Sequence, residues 1–164
     1  RDLHSFPTRR SSDLSGIFMI QIMSKLKLTR VNNSNEHKKE LFNLLKMRNF
    51  LISHEGKISF STHCQFVEDH PYRQWFFIEF CNKIIGSVYI SKDNSLGIDL
   101  NKENLKHLKG VLDILFQKYK PLKSIPSVRS KEFFINVSEN NIPLQEALKK
   151  LKYVPIQISY QLKK

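Results

Sequence analysis

Only two cysteines occur in the chain, Cys64 and Cys81, too few for a disulfide framework. They are expected as reduced thiols of a cytoplasmic protein. No apolar run approaches the roughly 20 residues needed to span a membrane as a helix. There is no internal repeat and no low-complexity tract. His54, His63, Cys64 and His70 do not fall at zinc-ligand spacing, so no metal is expected. Acidic residues are scarce: 15 Asp and Glu stand against 27 Lys and Arg, a formal charge of +12. Such a balance suits an anionic partner: nucleic acid, a membrane surface or a phosphate-rich cofactor. The plainer alternative is a solvated, lysine-rich surface.

The opening "RDLHSFPTRRSSDL" (1–14) has no helical or strand period and resembles a translated sequencing adapter. A natural disordered N-terminus is the alternative. "SGIFMIQI" (15–22) reads as upstream sequence, with Met19 or Met23 as the start. The expected organisation is a non-native, disordered leader over 1–22, then one domain over 23–164. Arg1, Arg9 and Arg10 against Asp2 and Asp13 leave +11 on the remainder.

Within that remainder, "KLKLTRV" (25–31) alternates and reads as a strand with a wet face. A helix is expected over 33–49, capped by Asn or Ser, with Leu41, Leu44, Leu45 and Arg48 at helical spacing. A second is expected over 61–70, capped by Ser61 or Thr62. "RQWFFIEFC" (73–81), "IIGSVYIS" (84–91) and "LGIDLN" (96–101) read as strands. The turns "NK" (82–83) and "KDNS" (92–95) join them into an antiparallel meander. Leu105, Leu108, Leu112, Leu115, Phe116 and Tyr119 then share one helical face ended by Pro121. A loop (120–131), a strand (132–137), a helix (140–152) and a final strand (153–163) complete the order. Asn140 or Asn141 caps that last helix, and Pro143 sits in its first turn. The order implies an α/β fold: a mixed, mostly antiparallel sheet with helices on both faces.

In this arrangement the chain resembles the GNAT-type N-acetyltransferases over about residues 25–162. Val137, Asn141 and Leu151-Lys152-Tyr153, within "FFINVSENNIPLQEALKKLKYVPIQISYQL" (133–162), hold places the family often fills. "IIGSVYISKDNSLGIDL" (84–100) and "FVEDHPYRQWFFIEF" (66–80) are similar to its segments before the cofactor loop. The resemblance implies a single-domain fold that binds acyl-CoA, most commonly acetyl-CoA, where the fourth and fifth strands splay apart. Here those strands are 95–101 and 132–138. The main chain of Ile98, Asp99 and Leu100 would pair with the pantothenate arm, and Asn136 and Asn141 would lie on the cofactor side.

The family's pyrophosphate loop, Arg/Gln-x-x-Gly-x-Gly/Ala, falls on His107 to Leu112. Gly110 is kept, His107 replaces Arg or Gln, and Leu112 replaces the second small residue. Helix-start amides bind anions because they are unpaired and carry the positive dipole end. The expectation is a phosphate loop over 105–110, with Lys106, His107, Lys109, Gly110 and Val111 at the cofactor. The competing reading is an unbroken helix from about 103 to 119.

Acyl transfer to an amine needs a neutral amine, a polarised carbonyl and a stabilised thiolate. The family's usual acid, a Tyr on the last helix, is Leu148 here. Its usual base position falls near Ser95 and Leu96. Replacement bases are sought at Glu79, Asp99, Glu68 and His70; burial among "FFIEF" would raise Glu79 toward a useful range, and the plainer reading is an ordinary wet residue on an outer strand. Asn141 and Tyr153 complete the catalytic candidates, though Asn141 as a helix cap and Tyr153 as a core or rim residue are the plainer readings. His70, Tyr72, Arg73 and Tyr89 are the acceptor-binding candidates. The expected activity is N-acylation of a small amine, such as an amino sugar, in a direct ternary complex by a monomer or homodimer. Two rivals stand beside it: a GNAT-like domain that binds CoA or another ligand without turnover, and a basic nucleic-acid-binding module.

Overall fold

The computed structural model describes residues 25–48 and 58–160. The leader, both candidate start methionines and His54 lie outside the described residues. Strand β1 (Leu26–Arg30) leads to α1 (Asn35–Met47). The Ser34 hydroxyl caps α1 by accepting the His37 N–H, and Glu36 and Lys46 complement the two ends of the helix dipole. Helix α2 (Phe60–Glu68) starts earlier than the sequence suggests, because Ser59 and not Ser61 or Thr62 is its cap.

Strands β2 (Gln74–Phe80), β3 (Lys83–Ile90) and β4 (Ser95–Leu100) form the expected antiparallel meander. The first hairpin turns at Cys81 and Asn82, both at positive φ (50° and 61°), one residue before the expected turn. Asn94, at φ 72°, is fully buried. Its side chain bonds Leu122 and Ser130 and ties down the loop over 120–131.

After β4 the chain turns from extended to helical at Asn101, whose side chain accepts the Asn104 N–H. A 3₁₀ segment (Lys102–His107) runs directly into α3 (Leu108–Lys118). The phosphate loop expected over 105–110 is therefore helix, and the unbroken reading holds. Strand β5 (Phe134–Ile135) and α4 (Ile142–Lys150) follow, the latter capped by Asn141 with Pro143 in its first turn.

The sheet order is β1-β2-β3-β4-β5, antiparallel except for the last pair. On one face, Phe76, Ile78, Val88, Ile90 and Leu96 pack under Leu108, Val111, Leu112 and Leu115 of α3 and Leu144 of α4. On the other, Trp75 and Phe77 pack against Val31, Leu41 of α1 and Val67 of α2. This is the α/β arrangement expected: a mixed, mostly antiparallel sheet with helices on both faces, splayed between β4 and β5.

Two strands depart from expectation. β5 is paired over two residues, not six, because the splay from β4 ends the ladder. Tyr153–Tyr160, within the expected final strand, has no strand partner among the described residues and is exposed throughout. No helix among the described residues is long and apolar enough to cross a membrane.

Candidate functional site

A cleft of about 1350 Å³ opens where β4 leaves β5. The parallel ladder holds only Ser95 against Phe134 and Leu96 against Ile135. A last bond, from the Asn136 N–H to the Leu96 carbonyl, is long at 3.4 Å. Beyond it β4 keeps β3 on one side alone.

The register fixes which backbone groups are left over. The Ser91 N–H donates to the Ser95 carbonyl, so Ser95, Gly97 and Asp99 direct their groups to β3. Leu96, Ile98 and Leu100 direct theirs the other way. Leu96 is met by β5, whereas Ile98 and Leu100 face the cleft with no strand partner among the described residues. Such groups are costly if they stay both buried and unpaired.

Side chains of β4 alternate between the faces. Ile98 joins the α3 layer, so Asp99 and Gly97 face the α1–α2 layer. The last turn of α1 brings Arg48 over Asp99, its Nε donating to Oδ2 at 2.6 Å. The Asp99 carboxylate has no other protein partner among the described residues and lines the cleft. Gly97 is needed for the neighbour across the ladder: the Tyr89 ring lies across it, and a Cβ there would sit 2.0 Å from the ring. Tyr89 stacks on Tyr72 at 3.9 Å between centroids, nearly parallel at 10°. Burial, then the neighbouring Tyr89, pushes the Tyr72 phenol up to about 12. Trp75 packs edge-on to Tyr72, and its buried indole N–H has no partner among the described residues. His63, held below its usual range by burial, lines the same side and meets the Lys38 carbonyl through Nε2 at 3.2 Å.

Of the sequence candidates, Ile98, Asp99, Leu100, Asn136, Asn141, Tyr72 and Tyr89 line the cleft together. Asn141 is there as a cap, its Oδ1 accepting the Leu144 N–H.

The remaining candidates are not brought to the cleft. Glu79 pairs with Lys27 at 3.0 Å across the β1–β2 ladder. Burial opposes its charge, but hydrogen bonds from Thr29 and Lys27 outweigh burial and hold its carboxyl below the usual range. That is the reverse of the raised value a base would use. Glu68 is engaged by Lys38 at 2.5 Å. Tyr153 is exposed beyond α4.

Gly110 lies inside α3 and faces β1, where a Cβ would come 2.8 Å from a methyl of Leu26. Its role is close helix–sheet approach. His107 is buried against the Phe80 ring, and burial holds it below its usual range, so it brings no charge to the cleft. Lys109 pairs with Asp113 one turn on. Lys106 and Val111 do not line the cleft either. In their place the rim is Asn101 to Leu105, where the helical run begins. His70 stacks behind Tyr72, and Arg73 reaches the Lys120 carbonyl.

Sequence reasoning missed Arg48 as a partner of Asp99, Gly97 as the seat of Tyr89, and Asn104 and Ser138 on the rim. The one available signal was the Asn101 cap, which marks a helix start six residues before His107. Among the described residues no cluster of three or more His, Cys, Asp or Glu could hold a metal.

No family model matches the chain, and no curated protein matches its sequence. Among solved structures it is similar to an aminoglycoside acetyltransferase from an uncultured soil metagenomic sample, in complex with sisomicin. That match has 14% identity and a TM-score of 0.48, and spans 87% of this chain and 99% of the other. It is also similar to a possible acetyltransferase from Clostridium difficile 630. There the identity is 11% and the TM-score 0.48, over 85% of this chain and 95% of the other.

Proposed function

We propose that the chain is an acyl-CoA-dependent N-acyltransferase, with acetyl-CoA as the donor and the amine of a small molecule, such as an amino sugar, as the acceptor. The observation that carries this reading is the pair of strand residues, Ile98 and Leu100, left with outward backbone groups in the floor of a large cleft. An extended, amide-bearing arm fits that edge as an added strand. At the rim, Lys102 and Glu103 supply helix-start amides, and Lys102 its ammonium, for phosphate. Gly110 does not fit that role, because its open side is filled by Leu26.

Acyl-CoA supplies an already activated thioester. The chain's own residues supply position, worth up to roughly 7–11 kcal/mol of a bimolecular barrier in ideal cases. Asp99 holds the acceptor's ammonium on the carboxylate oxygen that Arg48 leaves free and takes its proton, directly or through water. The Tyr72–Tyr89 pair forms a flat wall against which an acceptor ring packs. The Tyr72 phenol stays a neutral donor at physiological pH, and Leu148 leaves the thiolate to be protonated by solvent.

The test is a thermal shift with acetyl-CoA followed by thiol release with a panel of amines. The reading predicts a raised Tm and release with at least one amine. A raised Tm with no release would support binding without turnover. Salt-sensitive DNA binding with no response to acetyl-CoA would overturn the reading.

A further inference from the structure

Two half-used charged groups sit side by side in the cleft. Arg48 gives Asp99 only its Nε, which donates to Oδ2. The two terminal NH₂ groups of the guanidinium have no hydrogen-bond partner among the described residues, and neither has Asp99 Oδ1. Both side chains line the cleft and stay part-exposed, 30% for Arg48 and 25% for Asp99. A guanidinium and a carboxylate that served only each other would close both forks, because the two match bidentately. This pair is offset instead. It presents an anion-binding fork beside a cation-binding oxygen.

The surroundings select what such a dipolar pair can hold. Asp99 stands opposite Ser87, two residues from Tyr89, so Asp99 and Tyr89 project from the same face of the sheet. On that face Tyr89, Tyr72, Trp75 and Phe66 form a continuous aromatic cluster along the cleft. Such a wall suits a flat apolar ring. Charge disfavours a polycation: the described lining carries Lys46, Arg48, Lys83 and Lys102 against Asp99 and Glu103. Each further ammonium of a multiply charged amine would lack a carboxylate and meet like charge.

We propose that the acceptor is an α-amino acid with an aromatic side chain; this rests on the acyltransferase reading above and narrows its acceptor. The ammonium lies on Asp99 Oδ1, the carboxylate on the terminal NH₂ groups of Arg48, and the ring against Tyr72 and Tyr89. Asp99 takes one ammonium proton, directly or through water. The freed nitrogen attacks the thioester carbonyl, the C–N bond forms and the C–S bond breaks. The nitrogen sheds a second proton to solvent, and the departing thiolate gains one. The products are an N-acyl amino acid and CoA. The amide carries no positive charge, so it loses its hold on Asp99 and leaves.

The test is calorimetric titration of the full chain, saturated with CoA, using three probes: L-phenylalanine, phenethylamine and glucosamine. Phenethylamine is L-phenylalanine without its carboxylate. L-Phenylalanine should bind about tenfold or more tightly than either of the others. Arg48→Gln should bring L-phenylalanine and phenethylamine to parity. Arg48 is part-exposed at the end of α1, so the variant folds. Equal affinities in the parent chain, or tighter binding of phenethylamine or glucosamine, overturn this inference and leave the acyltransferase reading standing. A preference for L-phenylalanine that survives Arg48→Gln overturns it too, because the carboxylate would then be held elsewhere. A chain that gives no heat with CoA itself overturns both.

Discussion

The two faces of the sheet are built to different rules. Under α3 the contacts are aliphatic and sealed: Ile78, Val88 and Val111 have no exposure at all. Under α1 and α2 the face carries stacked tyrosines, an indole N–H without a partner among the described residues, a histidine and the Arg48–Asp99 pair, and it opens into the cleft. The same four long strands supply both through alternation, since neighbouring residues point to opposite layers. The aliphatic packing lies on one side, and the polar and stacked aromatic groups that line the cleft lie on the other. Changes confined to one face should therefore move one property and spare the other.

The largest effect is expected on the sealed face. Leu112→Ala leaves a cavity beneath α3 and should cost about 2–5 kcal/mol in urea unfolding, with acetyl-CoA affinity unchanged in the folded fraction. On the open face, Asp99→Asn should lower thiol-release kcat by about 10²-fold. Its stability should shift by no more than about 1 kcal/mol, because the pair with Arg48 is part-exposed. Gly97→Ala drives a methyl into the Tyr89 ring and should cost about 1–3 kcal/mol while weakening the near-UV signal of the tyrosine stack.

One buried histidine on each face titrates with folding. His63 and His107 are both held below 6.5 by burial. A depressed folded value contributes stability that is present above 6.5 and lost as pH falls through the folded values. Urea midpoints should therefore fall below pH 6.5, and His107→Phe should shrink that fall. The smallest effect belongs to Gly110→Ala. Helix propensity gains about 1 kcal/mol, offset by crowding of a flexible Leu26 methyl, and acetyl-CoA affinity should not change. A large loss of affinity there would restore the phosphate-loop reading.

What the sequence made legible was local. The meander from Gln74 to Leu100 follows from alternation, and the helices follow from apolar spacing and caps such as Ser34 and Asn141. What it hid was set by distant partners. Gly110 looks like a loop glycine until Leu26, 84 positions earlier, is placed against it. Arg48 reads as one more helix residue until Asp99, 51 positions on, meets it. The segment after Tyr153 has a strand's pattern, but pattern alone does not supply a neighbouring edge. Ile98 and Leu100 are implied as cofactor contacts by the family resemblance alone; the register shows that their backbone groups have no strand partner among the described residues.

The most direct measurement is amide exchange at Ile98 and Leu100 with and without saturating acetyl-CoA. Both amides should slow by about tenfold or more as they acquire a partner on the open side of β4, while Gly110 stays unchanged. Unaltered exchange at Ile98 and Leu100 under saturating ligand would contradict the account.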